Sequence, residues 1–184
     1  KSSAASDVYK RQLSTTDPLN HTSGQTYNRA GQVASAYDGN GNTTTYEYDE
    51  LGRLLYTKQT VDGVEEVTSF TYDPYGNLLT QTNGEGHTTT FNYNVANLVT
   101  AKIDHEGSGV AEKTESYQYD GRGNIISKTD RNGVTLSYVY DVHNRMLQTK
   151  QGETVLIDQT YDANGNKLTM TDESGTTTLS LIHI

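Results

Sequence analysis

Aspartate recurs along this chain at a spacing that could support acid–base or metal chemistry. It stands in Tyr48-Asp49-Glu50-Leu51-Gly52, Tyr72-Asp73-Pro74-Tyr75-Gly76, Tyr119-Asp120-Gly121-Arg122-Gly123 and Tyr161-Asp162-Ala163-Asn164-Gly165. Looser copies start at Tyr27 (Asn28, Gly31), Tyr93 (Asn94, Asn97) and Tyr140 (Asp141, Asn144). The start-to-start steps are 21, 24, 21, 26, 21 and 21 residues. Paired carboxylates can act as general acid and base. Oxygen-rich runs such as Asp162-Ala163-Asn164-Gly165-Asn166 with Glu173, or Asp38-Gly39-Asn40-Gly41-Asn42 with Asp49, echo a calcium loop. The glycine that such a loop needs at its sixth position is absent, with Lys167 and Thr43 standing there. None of His21, His87, His105, His143 and His183 pairs at metal-ligand spacing, and no Gly-x-Ser-x-Gly elbow occurs. The sequence therefore assigns no catalytic residue, no metal and no cofactor, and the chain reads as a non-enzyme.

The recurring aspartates have a conformational job instead. Asp at the first position of a type I turn accepts hydrogen bonds from main-chain N–H groups ahead of it, and Gly at the fourth supplies the left-handed conformation that closes a bulged hairpin. Where glycine is missing, Asn97 and Asn144 take its place, and Asn tolerates positive φ best among the other residues. Both are predicted to have positive φ. A second Asx-x-x-Gly falls ten residues later in Asp38-Gly39-Asn40-Gly41, Asn83-Gly84-Glu85-Gly86, Asp130-Arg131-Asn132-Gly133 and Asp172-Glu173-Ser174-Gly175. Each repeat is thus strand, turn, strand, turn.

The strands alternate. An aromatic residue precedes the motif tyrosine by two positions in Tyr46/Tyr48, Phe70/Tyr72, Phe91/Tyr93, Tyr117/Tyr119 and Tyr138/Tyr140, with Glu47, Thr71, Asn92, Gln118 and Val139 between them. Residues i and i+2 share a strand face, so one face is an aromatic ladder and the other largely wet. The outgoing strands open on Leu54-Leu55, Leu78-Leu79, Ile125-Ile126 and Met146-Leu147. The two longer repeats carry their extra residues at the distal turn, around Val61-Asp62-Gly63-Val64 and His105-Glu106-Gly107-Ser108-Gly109.

Composition agrees with an all-β array. Leu, Ile, Val and Phe total only 34 of 184 residues and Trp is absent, but 14 Tyr and 28 Thr, both strand formers, recur in register. The net charge of −9 and the lack of a Lys/Arg cluster exclude a nucleic-acid surface. No apolar run approaches the length of a membrane span, and zero Cys excludes disulfides and thiolate metal sites. Seven hairpins make about 14 strands, a sheet that must curl into a trough or spiral wall. Residues 1–12 and 180–184 break the pattern and read as ends foreign to the array, with degenerate repeat ends as the other reading. Residues 13–26 read as a degenerate repeat start and 27–179 as about seven repeats. The unpaired edges of such a sheet favour a segment cut from a longer wall.

The string Tyr-Asp-x-x-Gly-[Asn/Arg]-Leu, followed by the second Asp-x-x-Gly and a returning Tyr, resembles the YD repeat of Rhs proteins, insecticidal toxin-complex C subunits and teneurins. The resemblance covers residues 27–179, and its copy number makes it specific. It implies β-hairpins that spiral into a large hollow shell. In the bacterial members that shell encloses a C-terminal toxin, which with flanking repeats of the same chain would be the partner, in a secreted or cell-surface setting. The family's shell-closing, self-cleaving segment is not recognisable here; the nearest string, Asp73-Pro74-Tyr75-Gly76-Asn77, is in register as an ordinary turn. The other functional class the residues allow is a surface adhesin or glycan-binding module, whose exposed tyrosines would stack on sugar rings.

Overall fold

The computed structural model describes residues 14–61, 63–107 and 111–178. Asp62, Ser108, Gly109 and both ends read as foreign lie outside the described residues. Every described element is a β-strand or a turn, as the composition and the two-residue alternation predict. The chain divides into two compact units, Lys1–Thr88 and Thr89–Ile184.

In the first unit the strands are β1 (Ser14–Thr16), β2 (Thr22–Tyr27), β3 (Val33–Tyr37), β4 (Thr43–Tyr48), β5 (Leu54–Val61), β6 (Val64–Tyr72) and β7 (Leu78–Thr82). They pair antiparallel, each with the next in the chain. The unit boundary falls within β8 (Thr88–Tyr93), after its first residue. The second unit continues with β9 (Val99–His105), β10 (Lys113–Tyr119), β11 (Ile125–Thr129), β12 (Thr135–Tyr140), β13 (Met146–Gln151), β14 (Thr154–Tyr161), β15 (Lys167–Asp172) and β16 (Gly175–Thr178). From β9 to β16 each strand again pairs antiparallel with its successor. Local hairpins, not crossovers, therefore build both units, because each strand pairs with its neighbour in the chain through a short connection.

Residues 13–26, read as a degenerate start, contain β1, a regular turn at Asp17-Pro18-Leu19-Asn20 with Asn20 at φ 65°, and all but the last residue of β2. This adds two strands before the fourteen, β3 to β16, that belong to the seven repeats.

A bulge accompanies the motif tyrosine. The register slips at Thr26/Tyr27, Glu47/Tyr48, Thr71/Tyr72, Gln118/Tyr119, Val139/Tyr140 and Thr160/Tyr161. The residue skipped on the outgoing strand is Ala34, Leu55, Leu79, Ile126, Leu147 or Leu168. The paired apolar residues that open these strands, such as Leu54-Leu55, violate strict alternation, and the bulge is the reason: one extra residue resets which face the strand presents. Beyond the bulge the expected alternation holds. Tyr46, Tyr48, Phe70, Tyr72, Phe91, Tyr93, Tyr117, Tyr119, Tyr138 and Tyr140 are half-buried, whereas the interleaved Glu47, Thr71, Asn92, Gln118 and Val139 are exposed.

No hydrophobic side chain among the described residues is fully buried, and the buried side chains are the polar Glu115, Thr149 and Gln159. Stability here comes from ladders and cross-strand pairs, each contributing about 0.2–1 kcal/mol, not from a dense core. On the wet face, hydroxyls pair across strands in Thr26–Ser35 (2.7 Å), Thr71–Thr80 (2.6 Å) and Thr160–Thr169 (2.6 Å).

The repeated turn and a charged network

Eleven turns share one main-chain bonding pattern. The first residue donates its N–H to the carbonyl of the fifth, and the fourth donates to the carbonyl of the first, as in Asp73 N–H to Asn77 O (2.9 Å) and Gly76 N–H to Asp73 O (3.1 Å). The side chain of the first residue completes the turn: Asp73 Oδ1 accepts from the N–H groups of Tyr75 (2.9 Å) and Asn77 (2.8 Å). Asn does the same in Asn28, Asn83 and Asn94, since its amide oxygen offers the same acceptor. The predicted left-handed conformations are present at Asn97 (φ 59°) and Asn144 (φ 62°).

The second carboxylate oxygen is held by the residue after the turn. Asn77, Asn124 and Asn166 donate their amides to Asp73, Asp120 and Asp162 at 2.8 Å. Arg53 and Arg145 donate Nε to Asp49 and Asp141 at 2.6 Å. Partial desolvation pushes Asp141 up, yet the bonds from the main chain and guanidinium of Arg145 and from His143 N–H outweigh it and bring the carboxyl down to about 2. For Asp120 and Asp162 the largest cause is the amide of the following Asn, and it lowers both. Carboxylates so held are ionised acceptors, the reverse of what a general acid needs.

Residues in and just after the turns also reach the next repeat. Within the first unit, Gln32 Nε2 donates to Gly52 O (2.8 Å) and Arg53 Nη1 to Asp73 O (3.0 Å). Within the second, Arg122 Nη1 donates to Val142 O (2.7 Å), Asn124 Nδ2 to Asn144 Oδ1 (2.9 Å) and Arg145 Nη1 to Asp162 O (3.0 Å). Each guanidinium of Arg53 and Arg145 also lies 4.9 Å from the ring centroid of the next motif tyrosine, Tyr72 or Tyr161. The tyrosines tie strands in turn. Tyr48, Tyr72, Tyr119 and Tyr161 donate their hydroxyls to Val33 O (2.9 Å), Leu54 O (2.8 Å), Val99 O (2.7 Å) and Met146 O (2.9 Å). The rings of Tyr72 and Tyr161 thus have one face covered by arginine, which removes it as a stacking platform for a sugar. The [Asn/Arg] position was visible in the motif, but its double bond, back to its own turn and forward to the next, depends on turns of successive repeats lying side by side.

One cluster was not foreseen. In the second unit the aromatic face carries Lys102, Asp104, Glu115, Tyr117 and Lys128, joined by Arg131 from the β11–β12 turn. Lys128 Nζ lies 2.7 Å from Glu115 Oε1, Arg131 Nε lies 2.5 Å from Asp104 Oδ2, and Thr89 Oγ1 donates to Asp104 Oδ1 at 2.8 Å. Tyr117 donates its hydroxyl to Glu115, and Lys102 and Lys128 lie over its ring. Bonds from Lys128 and then Tyr117 pull Glu115 down, while burial and then Glu115 push the Tyr117 hydroxyl up to about 12. Tyr117 is therefore a fixed donor and Glu115 a fixed acceptor. The signal was the pairing register, Glu115 opposite Lys102 and Tyr117 opposite Lys128, which places the charges on the aromatic side. The network closes on itself, and among the described residues no group of three or more acidic or His side chains is placed to hold a metal.

Exposed apolar side chains stand at both hairpin edges. At the Tyr-Asp turns they are Leu51 (77%) and Tyr75 (85%) in the first unit and Val95 (106%) and Val142 (74%) in the second, and at the opposite turns of the first unit they are Leu19 (75%) and Val64 (64%). The other opposite turns carry Asn40, Glu85, Arg131, Asn132, Glu153 and Glu173. The β13–β14 turn there, Gln151-Gly152-Glu153-Thr154, lacks the Asx-x-x-Gly string; Gly152 at φ 57° takes the first central position, as in a type II′ turn.

No curated protein matches the sequence. Solved structures match closely in fold at low identity. The TcdB2-TccC3-Cdc42 crystal structure gives a TM-score of 0.72 at 19% identity, over 86% of this chain and 9% of that one. A mutant Photorhabdus luminescens Tc holotoxin pore gives 0.73 at 20%, over 86% and 9%. TcdB2-TccC3 gives 0.72 at 20%, over 85% and 10%. The chain thus spans about a tenth of the length of the structures it matches. The Teneurin YD-shell family matches residues 10–183 of the sequence, nearly its whole length, and the chain belongs to that family.

Proposed function

We propose that this chain is a wall segment of a YD-repeat shell that encloses or presents a C-terminal toxin or effector domain, in a secreted or cell-surface protein. The observation that carries this reading is the forward stitching of turn to turn, with no hydrophobic side chain buried among the described residues. A sheet bonded from repeat to repeat but lacking a core of its own is suited to separating two spaces. The mechanism is confinement, in which the main-chain ladders within each unit bar the passage of an unfolded cargo segment. The share of the matched structures that the chain spans supports further wall of the same protein as its neighbour. No helix among the described residues is long and apolar enough to cross a membrane.

Limited proteolysis of the full-length protein tests this. The C-terminal domain should resist protease in the intact protein and become cleavable when Arg53→Met and Arg145→Met unfasten the wall. Equal cleavage with and without the intact repeats would remove the confinement role.

A further inference from the structure

The sequence holds four Asn-Gly steps, Asn40–Gly41, Asn83–Gly84, Asn132–Gly133 and Asn164–Gly165. This dipeptide is prone to spontaneous cyclisation, because glycine offers the least steric hindrance to attack by its own nitrogen on the preceding side chain. The fold treats the four unequally. In three, Asn is third in the turn and Gly fourth, and the glycine N–H is engaged: Gly41 to Asp38 O (3.1 Å), Gly133 to Asp130 O (3.0 Å) and Gly165 to Asp162 O (3.1 Å). Asn83 instead is first in its turn. Gly84 occupies the second position, whose N–H has no part in the turn's main-chain bonding, and both residues are exposed. Asn83 Oδ1 accepts from the N–H groups of Glu85 (3.1 Å) and His87 (2.9 Å).

We infer that Asn83–Gly84 is a built-in site of spontaneous modification, at which the turn converts its own asparagine to aspartate or isoaspartate. The Gly84 nitrogen gives its proton to solvent base and bonds to Cγ of Asn83. Negative charge develops on Oδ1, where the two N–H donors stabilise it as an oxyanion hole would. The bond from Cγ to the side-chain nitrogen breaks, ammonia leaves, and a succinimide remains. One water then adds to either ring carbonyl, so the balance is one water consumed and one ammonia released, with no oxidant or reductant. Aspartate at this position keeps the turn, as Asp38 and Asp130 show in the equivalent turns, and adds one negative charge beside Glu85. Isoaspartate lengthens the main chain by one carbon and withdraws the Oδ1 acceptor, which opens this hairpin end.

The test follows amide-to-acid conversion at all four steps by peptide mass mapping of the chain held folded in mildly alkaline buffer, and in parallel in denaturant. In the folded chain Asn83 should convert about tenfold or more faster than Asn40, Asn132 and Asn164, the two donors on Oδ1 providing the difference. In denaturant the four rates should converge. Conversion at Asn83 no faster than at the others when folded, or an Asn83 excess that persists unchanged in denaturant, would overturn the inference. Asn83→Asp, which keeps the turn, should abolish the fast phase and leave the melting temperature close to that of the parent chain.

Discussion

At the residue scale, the first position of the turn carries a folded-state bias that acid should reveal. Asp17, Asp38, Asp49, Asp73, Asp120, Asp141, Asp162 and Asp172 are all held below their ordinary value of 3.8, Asp141 at about 2. A carboxyl whose pKa is lowered by folding adds stability above its unfolded pKa, and that stability is lost as pH falls through the folded value. Melting temperature followed by circular dichroism should therefore hold steady near neutrality and decline from about pH 4 toward pH 2. A flat profile across that window would contradict the turn role of these carboxylates. The fourth position has its own test. Gly76 lies at φ 90°, so Gly76→Ala should cost about 1–2 kcal/mol, while Asn20→Gly should be neutral or stabilising because Asn20 already sits at φ 65°. Chemical denaturation of both variants reads the difference. Asp in the motif and Asn in place of Gly were legible as turn chemistry because a turn is set by residues adjacent in sequence.

At the scale of the strand and hairpin, the tyrosine hydroxyl and the residue after the turn join one element to another. Tyr72→Phe and Tyr161→Phe each remove one bond to a main-chain carbonyl and should cost about 0.5–1.5 kcal/mol by urea titration. Arg145→Lys keeps the charge but loses the planar fork that bonds Asp141 and Asp162 O together and stacks on Tyr161. Stability should rank parent, then Arg145→Lys, then Arg145→Met. A lysine variant as stable as the parent would show that charge alone suffices. The doubled apolar residues, such as Leu78-Leu79, were legible as an anomaly in the alternation but not as a bulge, because a bulge is a property of two strands and their register.

At the scale of the whole molecule, an array with no hydrophobic side chain buried among its described residues should unfold with an unusual thermal signature. Unfolding heat capacity tracks newly exposed apolar surface and amounts to about 12–15 cal/mol/K per residue in ordinary domains. Calorimetry of this chain should give a clearly smaller value per residue; one in the ordinary range would indicate apolar burial that the described residues do not show. The network of Glu115, Tyr117 and Lys128 adds a spectroscopic handle. Tyrosine titration by ultraviolet difference absorbance should leave one phenol ionising near 12, and Glu115→Gln should bring it down.

What the sequence determined by itself was the repeat: its period, its two alternating turns, the positive φ at Asn97 and Asn144, the aromatic face, and membership in the shell family. All of these follow from interactions within about five residues or from a spacing counted along the chain. Tertiary structure decided which side chains meet across repeats. Arg53 reaching Asp73, Tyr119 reaching Val99 and Arg131 reaching Asp104 join residues 20 to 27 positions apart. Such contacts depend on strand register and on the bulge that shifts it, and a one-residue slip would send each of those side chains to the opposite face of the sheet.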